Sequence, residues 1–195
     1  LHTRSVELAM KNNLMLQVLS SITNKPGTLI VNKNKLIEKE IVSGVSYSKN
    51  ESKITISGIP DKPGISAQIF GLLADKNINV DMIVQNISQD GINANITFTV
   101  PNSESNLAKN ILKANLSVIQ YISLKSDENV AKISVIGMGM MSQSGVAQKM
   151  FKTLANNSIN ILAISTSEIK ISVLIDEKYT NIAVKALHEA YDIRD

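Results

Sequence analysis

Along this chain, apolar residues alternate with polar ones over short stretches, then switch to helical spacing, and the switch recurs. Residues 53–59 alternate, which predicts a half-buried strand. Asp61-Lys62-Pro63-Gly64 carries turn chemistry, because Pro fixes φ and Gly tolerates a positive one. Residues 65–76 set Ile65, Ile69, Leu72 and Leu73 on one helical face, and Asn77 ends that helix. Two β-rich runs, 80–88 and 93–100, are joined by the hairpin signal Gln89-Asp90-Gly91-Ile92. Residues 105–116 predict a second helix through Leu107, Ile111 and Leu112, and 118–125 a closing strand. The order β-α-β-β-α-β is the ferredoxin-like split unit, of α+β class.

The same grammar returns about 80 residues later. Lys53-Ile54-Thr55-Ile56-Ser57-Gly58 resembles Lys132-Ile133-Ser134-Val135-Ile136-Gly137 at an offset of 79. Gly64 recurs as Gly145, and Asn77-Ile78-Asn79-Val80 as Ser158-Ile159-Asn160-Ile161, at an offset of 81. A strand at 132–138, a helix at 143–157, a hairpin over 161–168 and 171–175, and a helix at 180–191 capped by Thr180 follow. The second copy then lacks its fourth strand, which would leave an unpaired edge. The unassigned run 40–48 (Ile41, Val42, Val45, Tyr47) is expected to fill the place. The first copy, 51–126, is thereby inserted in the second, formed by 40–50 plus 127–195. Residues 1–39 belong to neither. They predict a helix at 5–12, a strand at 14–22 and a turn at Asn24-Lys25-Pro26-Gly27, too little for a core of their own and similar to the end of another domain. Leu1 in place of Met reads as the start of a fragment or a processed chain.

Composition narrows the function classes. The 195 residues are 44% hydrophobic, which can build a core. Aromatics are 4% without Trp, and net charge is +3, so neither stacking platforms nor a basic stripe for nucleic acid is supplied. Without Cys there are no disulfides, thiolate metal sites or Cys nucleophiles. His2 and His188 are far apart, which poorly supplies a metal site or a triad; His188 reads as a surface or boundary residue. No apolar run nears the roughly 20 residues that span a bilayer, and no signal peptide opens the chain, so a cytoplasmic setting without membrane partners is expected.

The phosphate-cradle motifs are missing; the nearest is Gly137-Met138-Gly139, broken by Met140-Met141-Ser142 and more simply a flexible turn and adaptable packing. The richer candidate is the loop 61–67 with the strand after it. A helix N-terminus offers amide hydrogens and a favourable dipole to a carboxylate. Asp81 and Gln85, expected beside it, would suit the ammonium of a free amino acid. Spacing alone leans to the plainer reading, in which Asp61 caps a turn, Asp81 is solvated and Gln85 is an ordinary strand residue. Ile164-Ser165-Thr166-Ser167-Glu168 is the matching stretch of copy two, either a pocket wall or a solubilised edge. No carboxylate pair or base beside a nucleophile is evident, so binding fits better than catalysis.

These residues also carry a family resemblance. Ile56-Ser57-Gly58-Ile59-Pro60-Asp61-Lys62-Pro63-Gly64 with Asn77 to Asn86 resembles the first ACT domain of bacterial aspartate kinases. Ile164 to Val173 and Leu187-His188-Glu189 resemble the second, and Leu1 to Ala9 with Ser20 to Ile30 the last stretch of the kinase domain. The resemblance implies two ACT domains, the first inserted in the second, after a kinase-domain remnant at 1–39. It implies feedback inhibition by lysine and/or threonine of aspartate phosphorylation by ATP, and side-by-side homodimers with effector sites across the interface. It implies a kinase catalytic domain or subunit as partner, with ATP and magnesium needed there and no cofactor in this part. Effector contacts would fall on Asp61, Gly64, Ser66, Asp81, Gln85, Ser88 and Thr97, and in copy two on Asn160, Ile161, Ser167 and Glu168. Ser66, Ala94, Asn95 and Ala147 depart from common family residues and leave the effector's identity open. The family's N-terminal catalytic motif is not in this stretch, so it is expected to be inactive alone; the other reading is a free-standing amino-acid sensor.

Overall fold

In the computed structural model, the described residues are 2–23, 25–31, 41–88, 91–137 and 144–193. They form two units, Leu1–Lys39 and Glu40–Asp195. The first holds helix α1 (Thr3–Lys11) and a small antiparallel hairpin of β1 (Leu16–Val18) and β2 (Thr28–Ile30). Ala9 is buried there, but Leu8, Leu14, Met15, Leu19, Ile22 and Leu29 are exposed.

The second unit is built on two long antiparallel strands, β3 (Gly44–Pro60) and β6 (Ser123–Ile136). Between them in sequence come α2 (Ile65–Ala74), β4 (Asp81–Ile87), β5 (Asn93–Val100), α3 (Asn102–Ala114) and the single turn α4 (Leu116–Ile119). After β6 come α5 (Val146–Asn156), β7 (Ala163–Thr166), β8 (Lys170–Asp176) and α6 (Thr180–Tyr191). The sheet order is β4-β5-β3-β6-β8-β7.

Gly44 to Ser48 of β3 pair with Ile136 to Lys132 of β6, while Lys53 to Ser57 pair with Asp127 to Ser123. The start of β3 is therefore the fourth strand of module two, and its end the first strand of module one. β6 does the reverse. The run around 40–48 fills the vacant place as its pattern demands, although Glu40 itself lies outside the described residues. The closing strand expected at 118–125 and the opening one expected at 132–138 are one continuous strand, Ser123–Ile136. Residues 126–131 contain neither Pro nor Gly, so the ladder runs straight through with register shifts around Glu51. The closing strand itself begins at Ser123. Leu116–Ile119 form a helical turn instead, which sinks Ile119 into the core and ends at Gln120 in the left-handed region.

Each module covers one sheet face with two helices. In module one Ile54, Ile56, Ile96 and Phe98 meet Ile65, Ile69 and Leu73 of α2 and Ala108 and Leu112 of α3. Phe70 packs edge-on to Phe98, 5.4 Å between ring centres. In module two Ile133, Val135 and Val173 meet Met150 and Leu154 of α5 and Ala183 and Leu187 of α6. The expected cap of α6 differs: Thr180 is its first residue, and its hydroxyl donates back to the Glu177 carbonyl. Asp176 instead accepts from the Lys178 N–H in the preceding turn, where the free amide hydrogens are. His188 is half-buried in the last turn of α6.

The helix-free faces meet each other. The edge strands β4 and β7 are in contact, so the sheet curls until Met82, Val130 and Leu174 form a small shared cluster with Ala163 beside them. Among the described residues, no helix is long and apolar enough to cross a membrane.

Because both modules own both long strands, neither has a complete sheet without the other. Phe98→Ala is expected to cost about 3–5 kcal/mol and to lower the urea midpoint of both modules together. Tyr121 and Tyr191 report on modules one and two by fluorescence; two separate transitions would contradict shared-strand cooperativity.

Candidate functional site

The loop expected to carry chemistry lies where β3 ends and α2 begins. Gly64 is the N-cap, with φ of 90° that a side chain rarely adopts, and no side chain caps the first turn. A Cβ there would meet nothing within 4 Å, so the glycine serves the backbone angle rather than a close approach. Asp61 is tied at the strand end by its N–H to the Ile92 carbonyl, 3.0 Å. The uncapped first turn of α2 therefore leaves amide hydrogens for an anion. Module two repeats the device: Gly145, φ 97°, opens α5, also uncapped. The helix ends match as well, with Asn77 and Ser158 at φ 56° and 57°.

Gln85 stands beside this turn. It pairs with Ile96 on β5, whose side chain is in the helix-covered core, so Gln85 points to the same side as α2. Its Oε1 accepts a 2.9 Å bond from the Ser66 hydroxyl. Ser88 closes the β4–β5 hairpin through its N–H to the Asn93 carbonyl, 2.7 Å. Asp61, Gly64, Ser66, Gln85 and Ser88 thus share one end of module one. Gln89 and Asp90 of the hairpin, and the Met138-Gly139-Met140-Met141-Ser142 stretch, lie outside the described residues.

Asp81 is not beside that turn. It begins β4, at the opposite end of the strand from Ser88, and pairs with Thr99 on the helix-free face. There its Oδ2 accepts from Lys132 Nζ at 2.7 Å, and its Oδ1 from the Met82 N–H at 2.8 Å. Lys132 also meets Glu51 Oε1 at 2.8 Å. Thr97 likewise faces away from α2, with its hydroxyl 3.1 Å from that of Thr55. The strand period of two decides this, since Thr97 alternates with Ile96 and Phe98.

The copy-two candidates divide too. Ser167 turns between β7 and β8, its N–H bonded to the Lys170 carbonyl at 2.8 Å, with exposed Glu168 following. Asn160 and Ile161 follow the far end of α5, about 16 Å from its N-terminus by helix rise. Asn160 is exposed, while Ile161 packs on the module-two core.

Sequence reasoning missed Glu51 and Lys132: the two meet through the register of the β3–β6 ladder, and Asp81 reaches Lys132 only where the curl of the sheet brings β4 to β6. Lys132 was visible only as the twin of Lys53. The Ser134–Ser172 hydroxyl pair, 2.8 Å, similarly repeats Thr55–Thr97. The bond from Lys132 holds the Asp81 carboxyl below its ordinary range against the opposing effect of burial, with the Met82 N–H and, further off, Lys170 adding to it. Burial alone would lower Lys132, but the bonds to Asp81 and Glu51 outweigh it and its pKa rises. Tyr191, which donates to the Val146 carbonyl at 2.7 Å, is pushed up to about 12 by burial.

The sign of the resulting pH dependence follows. Asp81 is depressed in the fold, so its contribution is complete above its ordinary value of 3.8 and disappears as pH falls below it. Lys132 is raised, so its share persists up to its ordinary value of 10.5 and is lost above it. Asp81→Asn is expected to flatten the acid limb of a thermal-stability profile below pH 4. An unchanged limb would show that the ion pair does not contribute in solution.

Comparison with known proteins gives a consistent picture. The family model described as ACT domain matches residues 53–116 and 133–191. An aspartate kinase of Pseudomonas fluorescens is 46% identical over 194 residues, 99% of this chain and 47% of that protein. The chain spans about half the length of the curated relatives it matches. A solved structure of aspartokinase alpha and beta subunits is 46% identical, with TM-score 0.73, over 77% of this chain and 99% of the matched one. The regulatory subunit of aspartate kinase from Thermus thermophilus is 36% identical, with TM-score 0.73, over 78% and 99%.

Proposed function

The chain belongs to the aspartate kinase family, as its regulatory pair of ACT domains, and from that premise we propose that it binds lysine, threonine or both as feedback effectors of aspartate phosphorylation by ATP. The observation that carries this reading is the uncapped N-terminus of α2 with Gln85 held against it by Ser66. The amide hydrogens take the carboxylate of an amino acid, and the Gln85 carbonyl and the Asp61 carboxylate accept from its ammonium. Module two has Ala147 and Thr166 at the positions of Ser66 and Gln85, so it lacks the amide and the hydroxyl that holds it. The stronger site is therefore in module one.

Asn160 and Ile161 are separated from Gly145 by the length of α5, so a role for them as contacts requires a second copy. A side-by-side homodimer would bring that end of one module two to the open edge of another chain's module one. The kinase catalytic part, which holds ATP and magnesium, is the partner, either in the same polypeptide or as a separate subunit. Residues 1–39 align with the relatives along with the rest of the chain, and their exposed leucines and isoleucine suit the end of that catalytic domain. Preferential binding of the effector to one arrangement of the dimer biases the kinase, and a coupling of about 1–3 kcal/mol suffices for inhibition.

Calorimetric titration with lysine and with threonine is expected to show saturable heat for at least one. Gln85→Ala should weaken it about tenfold, the loss of one hydrogen bond to a charged group, without lowering the melting temperature. Sedimentation velocity should show a dimer with ligand. No heat from either amino acid at millimolar concentration would exclude the effector reading.

A further inference from the structure

We infer that Lys132, a residue of module two, is a positioning residue for the ligand site of module one: by holding Asp81 it pins the β4 bulge that decides which face of the strand carries Gln85, an inference resting on the reading of Gln85 as a ligand-site residue. The register shows the device. Asp81 is opposite Thr99, yet Val84 is opposite Thr97, so β4 spends three steps where β5 spends two. The extra residue lies at 82–83, and Met82 takes φ of 46°, a left-handed angle uncommon for an unbranched side chain. Past the bulge, Gln85 is opposite Ile96 and faces α2. A strand continuing from Asp81 without the bulge would put Gln85 opposite Asn95. Its side chain would then point to the helix-free face, away from Ser66.

An edge strand paired on one side has little in itself to hold such an irregularity. Besides β5 and one bond within β4, the anchors of the bulge come from the long strands and from module two. Lys132 Nζ holds Asp81 at 2.7 Å and is itself held by Glu51 at 2.8 Å. The other Asp81 oxygen accepts from the Met82 N–H, fixing the turn of the backbone. The Met82 side chain is buried with Val130 of β6 and Leu174 of β8. Thr99, the register partner of Asp81, is buried with no hydrogen-bond partner for its hydroxyl among the described residues, a local cost that the anchors offset. The twin module lacks the ion pair and the left-handed residue. Val130 stands in the place of Glu51 and Leu162 in that of Asp81, and β7 pairs with β8 without a shift from Ala163 to Thr166, the Leu162 N–H bonding the Leu174 carbonyl at 2.7 Å. The bulge lies in the module that has the glutamine, and the lysine that holds it comes from the other.

The chain has no native cysteine, which permits a direct test of the face. Ser66→Cys with Gln85→Cys, treated with dibromobimane, fluoresces when the two thiols are bridged; Ser66→Cys with Asn86→Cys reports the opposite face. In the otherwise unchanged chain and in Lys132→Arg, the 66–85 pair is expected to bridge and the 66–86 pair not. In Lys132→Met, and in Asp81→Asn should that variant fold better, 66–85 bridging should fall several-fold and 66–86 bridging rise. Lysine and threonine titrations of the same substitutions without the cysteines should show about tenfold weakening, restored by Lys132→Arg. Unchanged bridging in a folded Lys132→Met or Asp81→Asn chain overturns the inference. So does affinity lost in Asp81→Asn alone with bridging intact, which would make Asp81 a direct ligand contact. If the unsubstituted chain binds neither amino acid, the effector reading fails, while the bridging pairs still decide the role of Lys132.

Discussion

Two strands shared end to end between two modules are the constraint on which everything else in residues 40–195 depends. A ferredoxin-like unit needs four strands to cover two helices, and here each module borrows its fourth from the first strand of the other. The β3–β6 ladder is thus both the centre of the sheet and the covalent link between modules. Backbone hydrogen bonds cannot be left unpaired in a buried sheet, so separating the modules would expose both long strands at once. A regulatory element needs this property, because a perturbation in one module is felt through a strand that the other also uses.

The duplication repeats the scaffold closely and the chemistry only in part. Positive-φ glycines at the helix starts, left-handed residues at the helix ends and paired hydroxyls on the helix-free face recur in both copies. These are backbone and packing requirements that any copy of the fold must meet. What differs stands at positions the fold does not dictate: Gln85 against Thr166, Ser66 against Ala147, Glu51 against Val130, Thr99 against Leu174. The twin positions of Lys132, Glu51 and Asp81 are Lys53, Val130 and Leu162, so the acid pair that holds the lysine on the helix-free face is present in one copy only. A symmetric scaffold with asymmetric fillings gives two helix N-termini of like geometry and unlike ligand chemistry.

Legibility followed the range of the interactions. Ile54, Ile56, Ile65, Ile69 and Leu73 announced strand and helix because periodicity is a local signal, and the vacant fourth strand was inferable because an unpaired edge is costly. Gln85 beside Ser66 was within reach, since a helix and the strand after it are neighbours in this unit. Asp81 was misplaced because the one-residue bulge at 82–83 leaves no composition signature and moves residues between faces. Thr97, named only through the family resemblance, faces away from α2 because its face is set by register with Thr55.

By itself the sequence determined the two modules, their element order, the interleaving and the exclusion of thiol and phosphate-loop chemistry. Each follows from local periodicity, from turn residues or from residue types that are simply not there. The tertiary structure alone decided that the closing and opening strands are continuous, that β4 meets β7, and that Lys132 of one module holds Asp81 of the other. Those outcomes arise from sheet curl and strand register, which sum small twists and a single inserted residue over many pairs and have no local imprint in the chain.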